Sequence, residues 1–444
     1  MAPRMDTVEP DAELPHRTSV VVIGGGIIGV STALFLAQKG IPVVVCEKGI
    51  IGGEQSGRNW GWTRVMGRDE REIPLGLESL KLWRRMNSLV EAETGFTECG
   101  IAYLCDSDKD VANYEAWLDK ARPYQVDSRL LGPDEVERVL PGAARRFKGA
   151  LYTPTDGRAE PQRAAPAIAA AVRRAGGVVL TGCAVRGVET KGGRVSGVVT
   201  ERGPIACDSV VLAGGAWSRL FSGNVEVGGR GIDLPQLKVL GSVFRTEKLD
   251  GGPETSAGGM AFSFRKRADG GYNVAKRNSS ISDITPDSFR LFSEFLPNLK
   301  KSWRELRLRV GERFVTEWRT PRRWAMDEIS PFEQVRVLDP APDASVLTGA
   351  REQLASVFPA FTAMKVAESW AGLMDVTPDA VPVIGPVDSL PGFHIATGFS
   401  GHGFGIGPGA GRLMADIVAG DAPVVDPAPF RFGRFADGSF RQYV

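Results

Sequence analysis

The feature that most constrains this chain is a strand–turn–helix–strand pattern at residues 19–47, which read SVVVIGGGIIGVSTALFLAQKGIPVVVCE. The continuous apolar run at residues 20–23 predicts a buried parallel strand. Apolar residues at helical spacing from residue 30 to residue 37 predict a helix that ends near Gly40, and residues 43–46 predict a second strand. These elements form one βαβ unit, which indicates a parallel sheet covered by helices.

The turn of this unit has the glycine spacing of a dinucleotide-binding loop. Gly24 permits the tight turn, Gly26 lets backbone N–H groups approach a pyrophosphate, and Gly29 lets the helix pack closely on the strand. The helix N-terminus directs its positive dipole end at the phosphates. Glu47 ends the second strand, where a carboxylate accepts hydrogen bonds from a ribose diol. The same nucleotide site is expected to include Ile27, Ile28 and Lys48.

Three further segments, far apart in the sequence, are also rich in small residues. Residues 51–62 form a glycine-rich loop with polar and aromatic groups, able to follow a dinucleotide beyond its pyrophosphate. Residues 210–218 (VVLAGGAWS) predict a buried strand that ends in a small-residue turn, and residues 398–411 (GFSGHGFGIGPGAG) open a predicted helix. Dense glycine at a helix start indicates close backbone approach to a flat ligand. The wide spacing favours FAD over NAD, because an NAD dehydrogenase usually completes its nucleotide site within one stretch.

Together with WAGLMDVTPDAVPVIG at residues 370–385, these segments resemble the D-amino-acid oxidase-like superfamily of FAD enzymes. The superfamily includes glycine and sarcosine oxidases, D-amino-acid dehydrogenases and γ-glutamylputrescine oxidase. The resemblance covers residues 19–420 and implies oxidation of the C–N bond of a small amine or amino acid to an imine, by hydride transfer to flavin N5. By matching position it assigns to the FAD site Ser56, Arg58, Asn59, Trp60, Gly61, Val185, Ala213, Gly214, Trp217, Gly398, Gly401, His402, Gly403, Phe404, Gly405 and Ile406.

The same resemblance implies substrates that are D-amino acids, glycine-like compounds or N-substituted amines, with O2 or a redox partner as electron acceptor. We expect the FAD to be non-covalent. In the sarcosine oxidases a cysteine of the region near residue 372 carries the flavin, whereas this chain has Gly372 there and no cysteine after Cys207.

The expected fold is α/β, with a Rossmann-like FAD-binding domain built on a doubly wound parallel sheet and a second, mostly antiparallel α+β substrate domain. The FAD-binding domain is predicted to be discontinuous, at residues 19–105, 155–235 and 385–420. The substrate domain then takes residues 106–154 and 236–384, in which Asp269-Gly270-Gly271 between two strand-like runs predicts a hairpin. Residues 1–18 are polar and predict a disordered leader. Residues 421–444 form a C-terminal tail that either docks on the protein or contacts another subunit.

The residues expected to act in catalysis are Asp375, His402 and Lys276. In D-amino-acid dehydrogenases the segment matching residues 370–379 has an arginine that binds the substrate carboxylate, and this chain has Met374 there. Asp375 is similar to an aspartate of γ-glutamylputrescine oxidase and favours a cationic substrate group, with a turn or cap role beside Pro378 as the alternative.

Several cationic side chains have more than one interpretation. Lys276 or Lys238 could be the lysine that favours reaction of the reduced flavin with oxygen, and a solvated strand face is the alternative for both. His402 is either a flavin contact or a loop histidine with its hydrogen bonds satisfied. A substrate carboxylate, if there is one, is expected to bind one of three arginines, each of which also has a simple surface interpretation: Arg64, Arg265 and Arg277.

The composition limits the kinds of partner that the protein is expected to bind. The 54 basic and 53 acidic residues nearly cancel, which gives no reason to expect nucleic acid or an anionic membrane surface. Five cysteines without CxxC spacing and three histidines predict no disulfide framework and no metal centre. Without an apolar stretch of signal or membrane-spanning length, we expect a cytoplasmic protein. The sequence leaves the oligomeric state open, with a homo-oligomer and a partner subunit among the alternatives. The remaining alternatives are an NAD(P)-dependent Rossmann dehydrogenase and the FAD subunit of a multi-subunit amino-acid dehydrogenase.

Overall fold

The computed structural model describes residues 3–277, 280–302 and 306–443. Several of the residues discussed above lie outside this set: residues 1–2 of the predicted leader, residues 278–279 and 303–305 of the predicted substrate domain, and Val444 of the tail. Within it, the strands are β1 (Val20–Ile23), β2 (Val43–Cys46), β3 (Trp62–Thr63), β4 (Thr97–Glu98), β5 (Ile101–Cys105), β6 (Arg129–Leu131), β7 (Gly149–Thr153), β8 (Gly157–Arg158), β9 (Val178–Leu180), β10 (Val185–Lys191), β11 (Arg194–Thr200), β12 (Gly203–Ala206), β13 (Ser209–Leu212), β14 (Glu226–Val227), β15 (Arg230–Gly231), β16 (Leu237–Thr246), β17 (Ser256–Gly258), β18 (Ser263–Lys266), β19 (Tyr272–Ala275), β20 (Ser280–Asp283), β21 (Leu306–Arg309), β22 (Val366–Val376), β23 (Val383–Pro386) and β24 (Phe393–Thr397). The helices are α1 (Ile27–Gln38), α2 (Gln55–Arg58), α3 (Ile73–Leu89), α4 (Asp108–Ala121), α5 (Pro133–Val139), α6 (Pro161–Arg174), α7 (Ser218–Asn224), α8 (Pro286–Arg290), α9 (Phe292–Ser302), α10 (Glu312–Arg319), α11 (Pro331–Gln334), α12 (Ala344–Val357) and α13 (Gly403–Ala419).

A six-stranded sheet in the order β23-β24-β13-β1-β2-β9 forms the first layer. Its strands run parallel except β23, which pairs antiparallel with β24. The predicted βαβ unit is confirmed, because β1 pairs in parallel with β2 and α1 connects them. β1 and β2 are apolar throughout because both faces of the sheet are buried.

Helix α1 lies between this sheet and α13, and that position explains its composition. It is apolar on all sides, and its residues 27–36 are all buried. A helix with apolar residues all round is a core helix. The close fit is made by glycine: an added Cβ at Gly411 of α13 would lie 2.4 Å from the Cβ of Ser31. The helix that the glycine-rich segment 398–411 was predicted to open is present as α13, which begins at Gly403.

A ten-stranded, mostly antiparallel sheet forms the second layer, with β16 and β22 paired over ten registered residues at its centre. The predicted hairpin at residues 269–271 joins β18 to β19, and Gly270 has a φ of 83° at the turn. Strand β5 belongs to this sheet, so the chain crosses between the layers before the predicted boundary at residue 105. Strand β23 begins at residue 383, two residues before the predicted start of the last FAD-binding segment. The domain boundaries themselves stay a prediction.

The expectation of a disordered leader is wrong for residues 3–18. Met5 is buried, the carboxylate of Asp11 accepts a hydrogen bond from Val179 N–H at 2.8 Å, and Arg17 forms a bridge to Ala206. A few anchoring side chains order this segment, and its polar composition gave no sign of them. On its way to β1 it contacts Gln162 of α6, Val179 of β9 and Ala206 of β12.

Candidate active site

A cleft opens at the carboxyl ends of β1, β2 and β13, where open α/β sheets bind their ligands. Gly24 has a φ of 112°, and an added Cβ there would lie 2.4 Å from the carbonyl oxygen of Ala213. An added Cβ at Gly29 would lie 2.0 Å from the carbonyl oxygen of Gly24. Both glycines therefore have steric reasons to be present. The turn they form is a cradle that larger side chains would close.

Glu47 lies at the rim of this cleft. Its carboxylate accepts hydrogen bonds from Gly25 N–H and Gly49 N–H, each at 2.7 Å, and burial raises its pKa. These bonds hold the carboxylate at the end of β2, beside the glycine turn. The N-terminus of α1 and the segment 401–404 before and at the start of α13 border the same cleft. The donor groups and the glycine cradle fit a dinucleotide.

The structure brings most of the predicted cofactor residues together. Lining the cleft are Gly24, Gly26, Ile27, Ile28, Glu47, Lys48, Ser56, Asn59, Val185, Ala213, Gly214, Trp217, Gly401, Gly403 and Phe404. A second, adjoining cavity is lined by Arg58, Trp60, Gly61, His402 and Gly405. Neither cavity is lined by Gly29, Gly398 or Ile406. For every residue of this set, including those that line a cavity, the contact with FAD stays a prediction.

Three polar residues of the predicted FAD-binding set make hydrogen bonds to other parts of the protein. Ser56 Oγ accepts a hydrogen bond from Ile27 N–H at 2.9 Å, which joins the glycine-rich loop to α1. Lys48 Nζ donates to Glu54 Oε1 at 2.7 Å and lies 4.5 Å from the ring centroid of Trp217. Arg58 is buried, and its Nη1 donates to Asp339 at 2.7 Å and to the carbonyl oxygen of Ala371 at 2.9 Å. Arg58 thus ties the loop to β22.

The second cavity has a volume of about 650 Å³ and lies between the layers. It shares four lining residues with the cleft, namely Gln55, Asn59, Gly401 and Phe404. Its walls come from the loop after α2, from β16, α8, α9 and the end of β22. A flat ring that extended from the cleft past the shared residues would therefore face this cavity, which is the arrangement that a cofactor and substrate pair requires.

Cationic side chains dominate the charge of this second cavity. Among its described lining residues there are five, and none is aspartate or glutamate: Arg58, Arg64, Arg68, Lys276 and Arg277. Two of these stack on one ring, since the guanidinium carbon of Arg277 lies 3.7 Å and that of Arg64 5.5 Å from the ring centroid of Tyr103. Arg58 is paired with Asp339, and the remaining cations favour an anionic group in this cavity.

The three predicted catalytic residues occupy different places. Lys276 and His402 line the second cavity. Asp375 lines the cleft instead, where its carboxylate accepts hydrogen bonds from Gly398 N–H at 2.6 Å and Thr397 Oγ1 at 3.0 Å. Burial raises the pKa of Asp375. This geometry favours the alternative structural role for Asp375, in which it fastens β22 to the loop before α13.

The other cations that the sequence suggested for the active site also lie in different places. Arg265 is fully buried in a bidentate pair with Glu160, at 2.7 and 3.0 Å, and lies outside both cavities. Lys238 pairs with Glu317 at 3.1 Å and faces a third cavity on the other side of β16. Of the three candidate carboxylate ligands, Arg64 and Arg277 line the second cavity.

Sequence reasoning missed Arg68, Glu72 and Tyr103. Glu72 is completely buried, and its Oε2 lies 3.2 Å from His402 Nδ1. The i, i+4 spacing of Arg68 and Glu72, directly after the glycine-rich loop, was an available signal. Tyr103 lies within an apolar strand, and only the fold brings its ring between the arginines.

The fold and the paired cavities define a two-layer, dinucleotide-dependent oxidoreductase with a separate substrate sheet. The chain belongs to the FAD dependent oxidoreductase family, whose model matches residues 19–417. The NAD(P)-dependent alternative is therefore wrong. Oxidation of amino acids or amines is the activity of this family of flavoenzymes, and FAD is its cofactor.

Relatives of known activity match over nearly the whole chain. Glycine oxidase of Pseudomonas putida is 27% identical over 421 residues, covering 93% of this chain and 97% of the relative. Sarcosine oxidase subunit beta of Rhodobacter capsulatus is 25% identical over 438 residues, covering 96% of this chain and 91% of the relative. The structure of L-amino acid deaminase from Proteus myxofaciens in complex with anthranilate is 35% identical with a TM-score of 0.93, covering 98% of this chain and 97% of that chain.

Over the described ranges, no helix has both the length and the apolar character needed to cross a bilayer.

Proposed function

We propose that this protein oxidatively deaminates L-α-amino acids that carry a bulky apolar side chain, with FAD bound non-covalently. The observation that carries the proposal is the second cavity, whose described lining residues include five cations and no carboxylate. An amino acid presents one anionic group that needs such cations. A substrate with only a cationic group, such as a diamine, would meet repulsion there.

Arg277 and Arg64 are the residues that would bind the substrate α-carboxylate. Both guanidinium groups lie against the ring of Tyr103, and Arg277 Nη1 also donates to Tyr114 Oη at 3.1 Å. Stacking on an aromatic ring fixes a guanidinium in one plane, and a planar guanidinium suits two-point recognition of a carboxylate. Met374, at the position of the usual arginine, leaves this task to these two.

The rest of the cavity is large and mostly apolar. Three phenylalanines from α8 and α9 line it, Phe289, Phe292 and Phe295, and so do Trp62 and Val243. A volume of about 650 Å³ exceeds what a glycine-sized substrate fills. Burial of an aromatic or branched aliphatic side chain against these rings would stabilise the bound amino acid.

The comparisons support the same substrate class. L-amino acid deaminases of Proteus myxofaciens and Proteus vulgaris are 35% and 32% identical to this chain. The former was solved with anthranilate, an aromatic carboxylate, which is the chemistry that a cationic and aromatic cavity accepts. The L configuration rests on these two relatives.

Non-covalent attachment of FAD is supported by the residues around the cleft. An added Cβ at Gly372 would lie 2.1 Å from Gln55 Oε1, so a cysteine would not fit there without movement. Of the described residues lining either cavity, one is a cysteine, Cys46, and its hydrogen bond with Cys183 and its burial raise the pKa of its thiol. When bound, FAD accepts the hydride from the substrate α-carbon. Five free cysteines support a reducing, cytoplasmic compartment.

The test is anaerobic reduction of the bound flavin. The purified holoprotein is acid-precipitated to show that FAD is released, and is then titrated with L- and D-phenylalanine, L-leucine, glycine, sarcosine and putrescine. L-phenylalanine and L-leucine are expected to bleach the flavin, glycine only weakly and putrescine not at all. Bleaching by putrescine with inert amino acids would overturn the proposal. Readmission of air then shows whether O2 or a redox partner accepts the electrons.

The variant Arg277→Met adds a residue-level check. Loss of a charge-assisted contact to the carboxylate costs about 1.5–3 kcal/mol, which corresponds to weakening of L-phenylalanine binding by about 10- to 100-fold. Arg319→Met serves as the control, because Arg319 is exposed on α10 and lines neither the cleft nor the second cavity. Equal binding by both variants would remove Arg277 from the site.

A further inference from the structure

A completely buried carboxylate lies beside the second cavity. Glu72, the last residue of a short 3-10 helix (Glu70–Glu72), has no exposed surface. Neither carboxylate oxygen has a hydrogen-bond partner among the described residues, although Oε2 lies 3.2 Å from His402 Nδ1 and 4.0 Å from Arg68 Nη1. An ionised carboxylate in such a position is costly unless a nearby proton donor or cation pairs with it.

The histidine that Glu72 approaches faces the cavity. His402 immediately precedes α13, and its side chain is 27% exposed. Its Nδ1 is buried, so that exposure belongs to the other atoms of the side chain. One ring nitrogen thus lies towards a buried carboxylate, while the exposed part of the side chain lines the second cavity. With Nδ1 protonated towards Glu72, Nε2 carries a free lone pair.

Burial and two nearby arginines favour the neutral form of the His402 imidazole. Burial lowers the pKa of His402, Glu72 raises it, and Arg68 and Arg64 lower it further, with a net decrease. Burial raises the pKa of Glu72, but His402 and Arg68 outweigh this effect and keep it below its usual range. On the cavity side, the cations Lys276 and Arg277 also disfavour a charged imidazole.

We propose that His402 is the base that removes a proton from the substrate ammonium group, and that Glu72 is its positioning residue. An N–H bond of the ammonium breaks, its electron pair stays on nitrogen, and the proton bonds to Nε2 of His402. The products of this step are a neutral amine, ready for oxidation, and an imidazolium next to the Glu72 carboxylate. A base oriented by a buried carboxylate is a recurring solution in enzymes. This inference rests on the proposed function, since it needs an ammonium-bearing substrate in the second cavity.

The first test reads the histidine directly and does not depend on activity. The chain has three histidines, His16, His394 and His402, so the holoprotein labelled with 13C at histidine Cε1 gives a countable set of NMR signals. His402→Asn assigns one of them by its loss. In Glu72→Gln the pKa of His402 is expected to fall by about one unit or more, because an opposite charge at this distance has been removed. The control Glu70→Gln, at an exposed neighbouring position, should leave it unchanged. An unchanged His402 pKa in Glu72→Gln would overturn the role of Glu72.

The second test separates this proposal from the one on which it rests. In anaerobic flavin reduction by L-phenylalanine near neutral pH, His402→Asn is expected to be slower by about 100-fold or more. The difference in reduction rate between His402→Asn and wild type should become smaller at alkaline pH, where the amino group of the free substrate is already neutral. Binding of benzoate, a carboxylate without an ammonium group, should be unchanged, and FAD content reports on folding.

The outcomes are distinguishable. If wild-type flavin is not bleached by any amino acid, the proposed function fails. If wild type and His402→Asn are reduced at equal rates at neutral pH, only the base assignment fails. If Glu72→Gln does not retain FAD, the reduction rate of His402→Asn alone decides whether the base assignment holds. We expect His402→Asn to fold, because the His402 side chain is partly exposed and its replacement opens no buried cavity as large as the Glu72 side chain.

Discussion

At the residue scale, the second cavity depends on groups that do not line it. Asp156 is completely buried, and its carboxylate accepts hydrogen bonds from Val65 N–H at 2.7 Å and Met66 N–H at 3.2 Å. These bonds fix the segment that presents Arg64 and Arg68 to the cavity. One carboxylate thus positions two of the five cations.

Asp156 predicts a pH dependence of stability. Burial raises its pKa to about 7 in the folded protein, against an ordinary value near 3.8. The folded state therefore holds a proton that the unfolded chain has lost between about pH 4 and pH 7, so the stabilisation is complete at low pH and is lost as the pH rises through this window. The free energy of unfolding should fall by up to about 1.4 kcal/mol per pH unit in that range from this group alone.

Urea unfolding of wild type and Asp156→Asn, with FAD in excess at several pH values, isolates the contribution. The difference between the two proteins should change across the window, because asparagine does not titrate. Asp134→Asn is the control, since the Asp134 side chain is 81% exposed. Parallel pH profiles for wild type and Asp156→Asn would contradict the assignment.

At the element scale, the cofactor cleft depends on how closely α1 and α13 approach. Gly411 of α13 meets Ser31 and Thr32 of α1, and an added Cβ would lie 2.7 Å from Thr32 N. Since both contacts are to well-packed core atoms, the helices would have to separate to accept a side chain. Both helices begin at the cleft, so their spacing sets the distance between the two walls of the nucleotide site.

Gly411→Ala should therefore destabilise the protein by about 1–3 kcal/mol through overpacking and should weaken FAD retention. The matched control is Gly349→Ala in α12, where an added Cβ meets nothing within 4 Å. That change should stabilise by about 0.5–1 kcal/mol, because alanine is the better helix former. Thermal unfolding with FAD fluorescence measures both effects, and a stabilising Gly411→Ala would show that the helices have room.

At the scale of the whole molecule, segments that are distant in sequence hold the cofactor loop. Arg58 joins α2 to Asp339 and to β22, and the N-terminal segment packs on the other side of α2. An added Cβ at Gly57 would lie 2.4 Å from Met5 Sδ, which shows how closely Met5 packs on the loop. Stability of the predicted FAD site is therefore expected to depend on the assembled layers.

Met5→Ala is expected to cost about 1.5–3 kcal/mol from lost burial and to accelerate FAD release from the loosened loop. Glu9→Ala, at an exposed position of the same segment, should leave both quantities unchanged. FAD release followed by its fluorescence on dilution gives the rate. Identical rates for Met5→Ala and wild type would show that the N-terminal segment does not support the loop.

The βαβ unit, the glycine turn and Glu47 were predictable from the residues alone, because a dinucleotide loop is a local pattern whose spacing is fixed by backbone geometry. Two layers of different strand character were also predictable, since hydrophobic periodicity is local. Which cations share a cavity depends on long-range packing: Arg265 and Arg277 look alike in sequence, yet one is buried against Glu160 and the other lines the second cavity. The approach of Glu72 to His402 spans more than three hundred residues, and only the packing of the folded layers brings the two together.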